Sequence, residues 1–120
     1  MHAYGDGRMI IVKNVSLEEL KMMSEKMYEP IVKAVVDINR RIVVIDADLH
    51  SDEETFFLEN GSKQEDLWGI NLWPDKYDTN EFVEFDSMIN LRPRQNNRSR
   101  GVENAETRTL ILDIVSEVVT

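Results

Sequence analysis

Two stretches carry side chains that could do chemistry. DADLHSDEE, residues 46–54, places five carboxylates and one of the chain's two histidines in nine positions. RPRQNNRSR, residues 92–100, holds four arginines and no acid in a chain whose net charge is −9. Carboxylates at such density suit a hard divalent cation, because magnesium and manganese prefer oxygen ligands. Asp46, Asp48 and Asp52 are the candidate ligands for Mg or Mn, and His50 with Asp48 the candidate catalytic acid–base pair. Arginine presents a planar fork that meets phosphate or carboxylate through two parallel hydrogen bonds. Arg92, Arg94, Arg98 and Arg100, with Asn97 among them, therefore form the candidate ligand-binding set. On its own, this loop describes a binding domain for a phosphate-bearing or acidic ligand or partner. Joined to the acidic stretch, it describes a Mg- or Mn-dependent phosphoryl hydrolase or nuclease-like enzyme, with carboxylates on the metal and arginines on the phosphate.

Each stretch also has a plainer account. Ser51 and Glu54 have the S-x-x-E spacing of a helix capping box, and Asp52 and Glu53 would fall in the first turn, where the helix dipole favours negative charge. Asp46 has a candidate partner in Lys33. The arginines could pair with the chain's own acidic surface or with a second subunit. Counted from Asp46 as an EF-hand loop, positions five, six and twelve are His50, Ser51 and Phe57, where calcium needs an oxygen ligand, a glycine and a glutamate. Zinc is disfavoured in a chain with no cysteine and one credible histidine. No phosphate-binding glycine loop occurs, and Ser62, Ser87 and Ser99 lack the surroundings of a catalytic serine.

Composition sets outer bounds. A chain of 120 residues can enclose one hydrophobic core, and 42% apolar with 31% charged residues describes a soluble globular protein. The acidic balance opposes non-specific nucleic-acid binding, which requires cations to displace phosphate counterions, except locally at residues 92–100. No run approaches the roughly 18 to 20 apolar residues that cross a bilayer, and the amino terminus lacks a signal-peptide pattern. These features predict a cytoplasmic protein with no membrane association.

The elements that must position the two stretches follow from periodicity. Residues 1–8 read as an extension that includes His2, followed by one globular domain over 9–120. A strand begins at Met9. Ser16 and Glu19 form a capping box, Val15 and Leu20 a hydrophobic staple, and Leu17, Leu20, Met23 and Met27 a helical stripe that Pro30 stops. IVKAVVDI and RIVVIDA predict a hairpin about a two-residue turn, Asn39–Arg40, with Val32, Ala34, Val36 and Ile38 sharing a face with Val43, Ile45 and Ala47. That register places Lys33 across from Asp46, and Asp46 and Asp48 together on the other face. Asn60–Gly61 marks the end of a helix. Residues 66–73, 82–86 and 88–92 read as strands, with Gly69 signalling a bulge or a close backbone approach and Trp68 and Trp73 as core or interface anchors. Asn104 caps a helix whose apolar face is Leu110, Ile111, Ile114, Val115 and Val118. The predicted order is β-α-β-β-α-β-β-β-α, an α+β domain with about three helices on a mainly antiparallel sheet. A homo-oligomer formed through a sheet edge or the tryptophan surface is a third functional possibility.

The segments DADLHSDEE, GSKQEDLWGINLWP and FDSMINLRPRQNNRSR, in that order and spacing, resemble a family of short prokaryotic proteins of unknown function. The resemblance runs from about Met9 to the carboxyl terminus, and its tryptophan- and arginine-containing parts are the most specific. It implies a cytoplasmic, single-domain prokaryotic protein and leaves activity and cofactor open. The family pattern has glycine before the N-R-S triplet, where this chain has Asn96. Asparagine tolerates positive φ, so the turn is expected to survive, while its side chain puts close approach of a ligand to that backbone in doubt.

Overall fold

The computed structural model of the chain describes residues 2–4, 9–12, 14–26 and 29–120, with side chains described from residue 14 onward. Strands β1 (His2–Tyr4), β2 (Met9–Val12), β3 (Val32–Asp37), β4 (Ile42–Ile45), β5 (Leu67–Leu72) and β6 (Val83–Glu84) form one sheet in the order β1-β2-β4-β3-β5-β6. Every neighbouring pair is antiparallel. Helices α1 (Leu17–Ser24), α2 (His50–Glu59) and α3 (Ala105–Val118) pack on it, so the molecule is the expected α+β domain with an antiparallel sheet. The extension expected over residues 1–8 includes β1, which pairs with β2; its other residues, like Met27 of the expected α1 stripe, lie outside the described residues. Among the described residues no helix is long and apolar enough to cross a membrane.

The sheet is covered on both faces. Val32, Ala34, Val36, Val43, Ile45, Trp68, Ile70 and Leu72 share one cluster with Leu20 and Met23 of α1 and with Ile111, Ile114, Val115 and Val118 of α3. On the other face, Val35, Val44 and Leu67 meet Phe57 of α2. Central strand β3 is thus apolar on both sides, which is why its sequence reads as a continuous run rather than an alternation. Ser16 and Glu19 make both bonds of the capping box at 3.1 Å. Asn104 accepts the Thr107 N–H at 2.9 Å to cap α3. Both helix starts depend on neighbours three residues apart.

Four expectations are corrected. The hairpin keeps its register, with Ala34 opposite Ile45 and the Asp46 N–H bonded to the Lys33 carbonyl at 3.2 Å. Its turn, however, spans residues 38–41 rather than Asn39–Arg40, with Asp37 and Ile42 as the last pair. The Asp37 carboxylate organises this longer loop by accepting the N–H groups of Asn39 and Arg40, each at 2.9 Å. Second, Asp46 and Asp48 do not share a strand face, because β4 ends at Ile45 and Asp46 takes the left-handed φ of 72°. That backbone breaks the alternation, and the buried Asp46 carboxylate pairs with Lys26 at 3.1 Å instead of Lys33.

Third, the Ser51–Glu54 capping box does not form. Helix α2 begins two residues earlier, at His50, with Leu49 at the cap and no side-chain cap bond. Glu53 accepts the Ala47 N–H at 3.1 Å, so the carboxylate that secures this helix entry comes from the neighbouring position. Fourth, residues 88–92 are not a strand. Ser87 caps a single 3₁₀ turn over Met88–Asn90, and the Asn90 side chain takes the role of a strand. It accepts the Gly69 N–H at 2.8 Å and donates to the Gly69 carbonyl at 2.9 Å. Gly69 is the close approach its sequence position suggested: a Cβ there would lie 2.6 Å from Cβ and Oγ of Ser87.

Candidate functional site

The arginine loop is a tight hairpin built on its own backbone. Arg92 and Asn97 exchange N–H···O bonds of 2.8 and 3.1 Å, with the 3₁₀ turn Pro93–Gln95 and Asn96 between them. Asn96 holds φ 60°, the left-handed conformation that closes the turn. Asn97 is buried and anchors the loop to the body. Its amide donates to the carbonyls of Asn90 and Gly101, each at 2.7 Å, and its oxygen accepts the Glu103 N–H at 2.8 Å. In this structure its side chain therefore serves the scaffold.

The four arginines divide into two pairs. Arg92 stacks over Trp68, its guanidinium carbon 4.1 Å from the ring centroid, and donates to the Gln64 carbonyl. Burial works against its charge, while the carboxylates of Glu54 and Asp66 support it. Arg100 is bonded to Asp86 at 2.6 Å. Arg94 and Arg98 are exposed, and their guanidinium groups make no hydrogen bond or ion pair among the described residues. Arg98 enters the scaffold through its backbone, whose N–H meets Glu103 at 2.6 Å.

Between these two free arginines in sequence, Gln95, Asn96 and Asn97 line a polar cleft of about 400 Å³. Glu65, Trp68, Glu103 and the first turn of α3, with Asn104 and Thr107, complete its walls. One physical feature favours an acceptor-rich guest. The amino-terminal end of a 14-residue helix borders the cleft and brings the positive end of the helix dipole to it. Trp68 also lines the cleft, but it is only 5% exposed and its indole N–H, without an acceptor among the described residues, is buried. The two glutamates add acceptors of their own, so a guest that also carries donors fits best.

The acidic stretch lies on the α2 side of the sheet, and its members are not gathered at one point. Asp46 pairs with Lys26, Asp48 and Asp52 are exposed, and His50 is buried with Nε2 2.7 Å from the Ile70 carbonyl. A carbonyl can only accept, so this nitrogen carries the proton. Burial lowers the His50 pKa below its usual 6.5; the Ile70 bond and Asp86 oppose that shift, and Lys33 and Arg100 add to it. The fold thus brings the last arginine of the loop into the electrostatic surroundings of His50. Among the described residues, no group of three or more His, Asp and Glu side chains is arranged to hold a metal ion.

Three groups on this face give little sign of themselves in sequence. Glu53 is fully buried, and burial pushes its carboxyl well above the usual range. One of its oxygens accepts the Ala47 N–H, and the other has no partner among the described residues. Asn71 stands opposite Lys33 in the sheet and donates to Glu84 at 2.9 Å, leaving its own buried oxygen without a donor. Lys33 is half-buried and acts on the charges of both His50 and Glu53. A run of five acids does not reveal that Asp46 and Glu53 are the two inside; that is decided by packing between segments distant in sequence.

No curated protein and no solved structure matches the chain. A match over residues 9–118, which takes in both the acidic stretch and the arginine loop, shows that the chain belongs to the family described as Protein of unknown function (DUF5674).

Proposed function

We propose that this chain is a binding domain for a small anionic, phosphate-bearing ligand, with the polar cleft beside the arginine loop as its site. The observation that carries this reading is the pair of exposed guanidinium groups, Arg94 and Arg98, that flank the cleft-lining residues Gln95–Asn97 and have no partner among the described residues. In a chain of net charge −9, two unpaired cations on one tight loop mark where negative charge is accepted. Arg92 shapes the site rather than closing on a ligand, because its guanidinium is held against Trp68. Arg100 is engaged with Asp86 and sets the position of the loop's far end. The start of α3, whose Thr107 N–H is already taken by the Asn104 cap, contributes the positive end of the helix dipole at the cleft.

Calorimetric titration with pyrophosphate tests this. Two charge-assisted contacts, each worth about 1.5–3 kcal/mol, predict a loss of at least about a hundredfold in affinity for Arg94→Gln/Arg98→Gln. Binding by the wild type should weaken with added salt, and the double variant should lose most of that dependence. Equal affinities for the wild type and the double variant would dismiss the reading.

A further inference from the structure

A second cavity, of about 320 Å³, opens between α3 and the loop after the Pro74–Lys76 turn. Tyr77, Phe82, Phe85, Leu112, Val115 and Val119 supply its apolar wall, and it shares no lining residue with the polar cleft. Phe82, Val115 and Val119 belong to the main core, and the Tyr77 ring meets Phe82 edge to face at 5.1 Å. Tyr77 is 37% and Leu112 45% exposed, so the rim leaves apolar surface in contact with water, as binding concavities do.

Charge selects the occupant. Asp78 lines the cavity, its carboxylate makes no hydrogen bond or ion pair among the described residues, and no lysine or arginine lines it. Cations on the adjoining elements are engaged elsewhere. Lys76 lies over Trp73 at 4.7 Å and pairs with Glu81 at 3.5 Å, while Arg41 pairs with Asp113 and Glu117 on the outer side of α3. Asp78 is exposed, and a solvated, unpaired carboxylate at the rim of an apolar pocket disfavours fatty acids and other anions there. A second copy of this chain, itself of net charge −9, would bring like charge to the same place.

We infer that this cavity is a binding site for a small aromatic amine. The apolar body lies among Tyr77, Phe82 and Leu112, and the ammonium meets Asp78. The volume is at the lower end of the roughly 300–1,000 Å³ typical of ligand sites, which suits a single fused ring with a short side chain. Asp78 holds φ 69°, a conformation that asparagine also accepts, so Asp78→Asn removes the charge and leaves the loop's backbone preference in place.

The test is titration of the full chain with tryptamine and with its near-isosteric acid, indole-3-propionate. Tryptamine should saturate one site with a dissociation constant below about 1 mM, at least about tenfold tighter than the acid. Asp78→Asn should weaken the amine until the two probes lie within about threefold. Ser116→Phe, which fills the cavity from its exposed rim, should abolish amine binding while the thermal unfolding midpoint is kept. Equal wild-type affinity for the two probes, or no saturable binding of tryptamine, overturns the assignment. A dimer in light scattering that Leu112→Asp dissociates also overturns it, because the cavity would then belong to a contact between copies.

Discussion

Glu53 and His50 sit one helical turn apart and respond to burial in opposite directions. Glu53 has its pKa raised well above 4.5 in the folded chain. Its contribution to stability is complete below the unfolded value and is lost as pH climbs through the folded one. His50 has its pKa lowered from 6.5. Its contribution is present above that value and is lost as pH falls through the folded one. Thermal melts across about pH 4 to 9, spanning both ordinary values, should therefore fall off at each end. Glu53→Gln keeps an acceptor for the Ala47 N–H and copies the uncharged form, so it should flatten the alkaline limb and leave the acidic one. His50→Gln should do the reverse. An alkaline limb that persists in Glu53→Gln would assign that loss to another group. Sequence marks both residues as noteworthy by type, but the burial that gives them their properties comes from β3, β5 and the segment before α2.

Elements whose determinants are local were legible from sequence, and those whose determinants are remote were not. The Ser16–Glu19 box, the Asn104 cap and the hairpin register all follow from residues within a few positions of one another. Asn90 lies 21 residues from Gly69, and nothing in MINLR distinguishes a strand from a capped turn whose amide reaches that far. The same holds for the start of α2, where two adjacent glutamates offered alternative entries and burial selected Glu53. In the candidate site, the arginine loop was legible by charge. The division into two engaged and two free arginines was not, because it depends on Trp68 and Asp86. Two substitutions test the Gly69–Asn90 junction in denaturant unfolding. Gly69→Ala forces a Cβ against Ser87 and should cost about 1–3 kcal/mol, the usual range for overpacking. Asn90→Ala leaves both polar groups of Gly69 without this partner and should cost at least about as much. Partial recovery in Gly69→Ala/Ser87→Gly would identify the close contact as the cause, and no recovery would exclude it.

At the scale of the whole molecule, a net charge of −9 is spread over a sheet covered on both faces. The acidic excess of the chain makes mutual repulsion oppose the compact state. Raising ionic strength from about 0.01 to 0.15 M shortens the screening length from about 30 to about 8 Å. The unfolding midpoint should rise over that range even as pyrophosphate binding weakens. A falling midpoint would mean that pairs such as Arg41 with Asp113 and Lys26 with Asp46 outweigh the general repulsion. One arrangement bears on how separate molecules behave toward each other. Strand β6 pairs with β5 only at Asn71 and Leu72, leaving the outer margin of β5 beside Gly69 for Asn90 to occupy. Bare strand margins are where chains recruit one another into aggregates. A single side-chain amide holds both hydrogen-bonding groups of Gly69, so an incoming strand would first have to displace it. Asn90 thus guards this margin, and Asn90→Ala is expected to scatter more light than the wild type at equal high concentration.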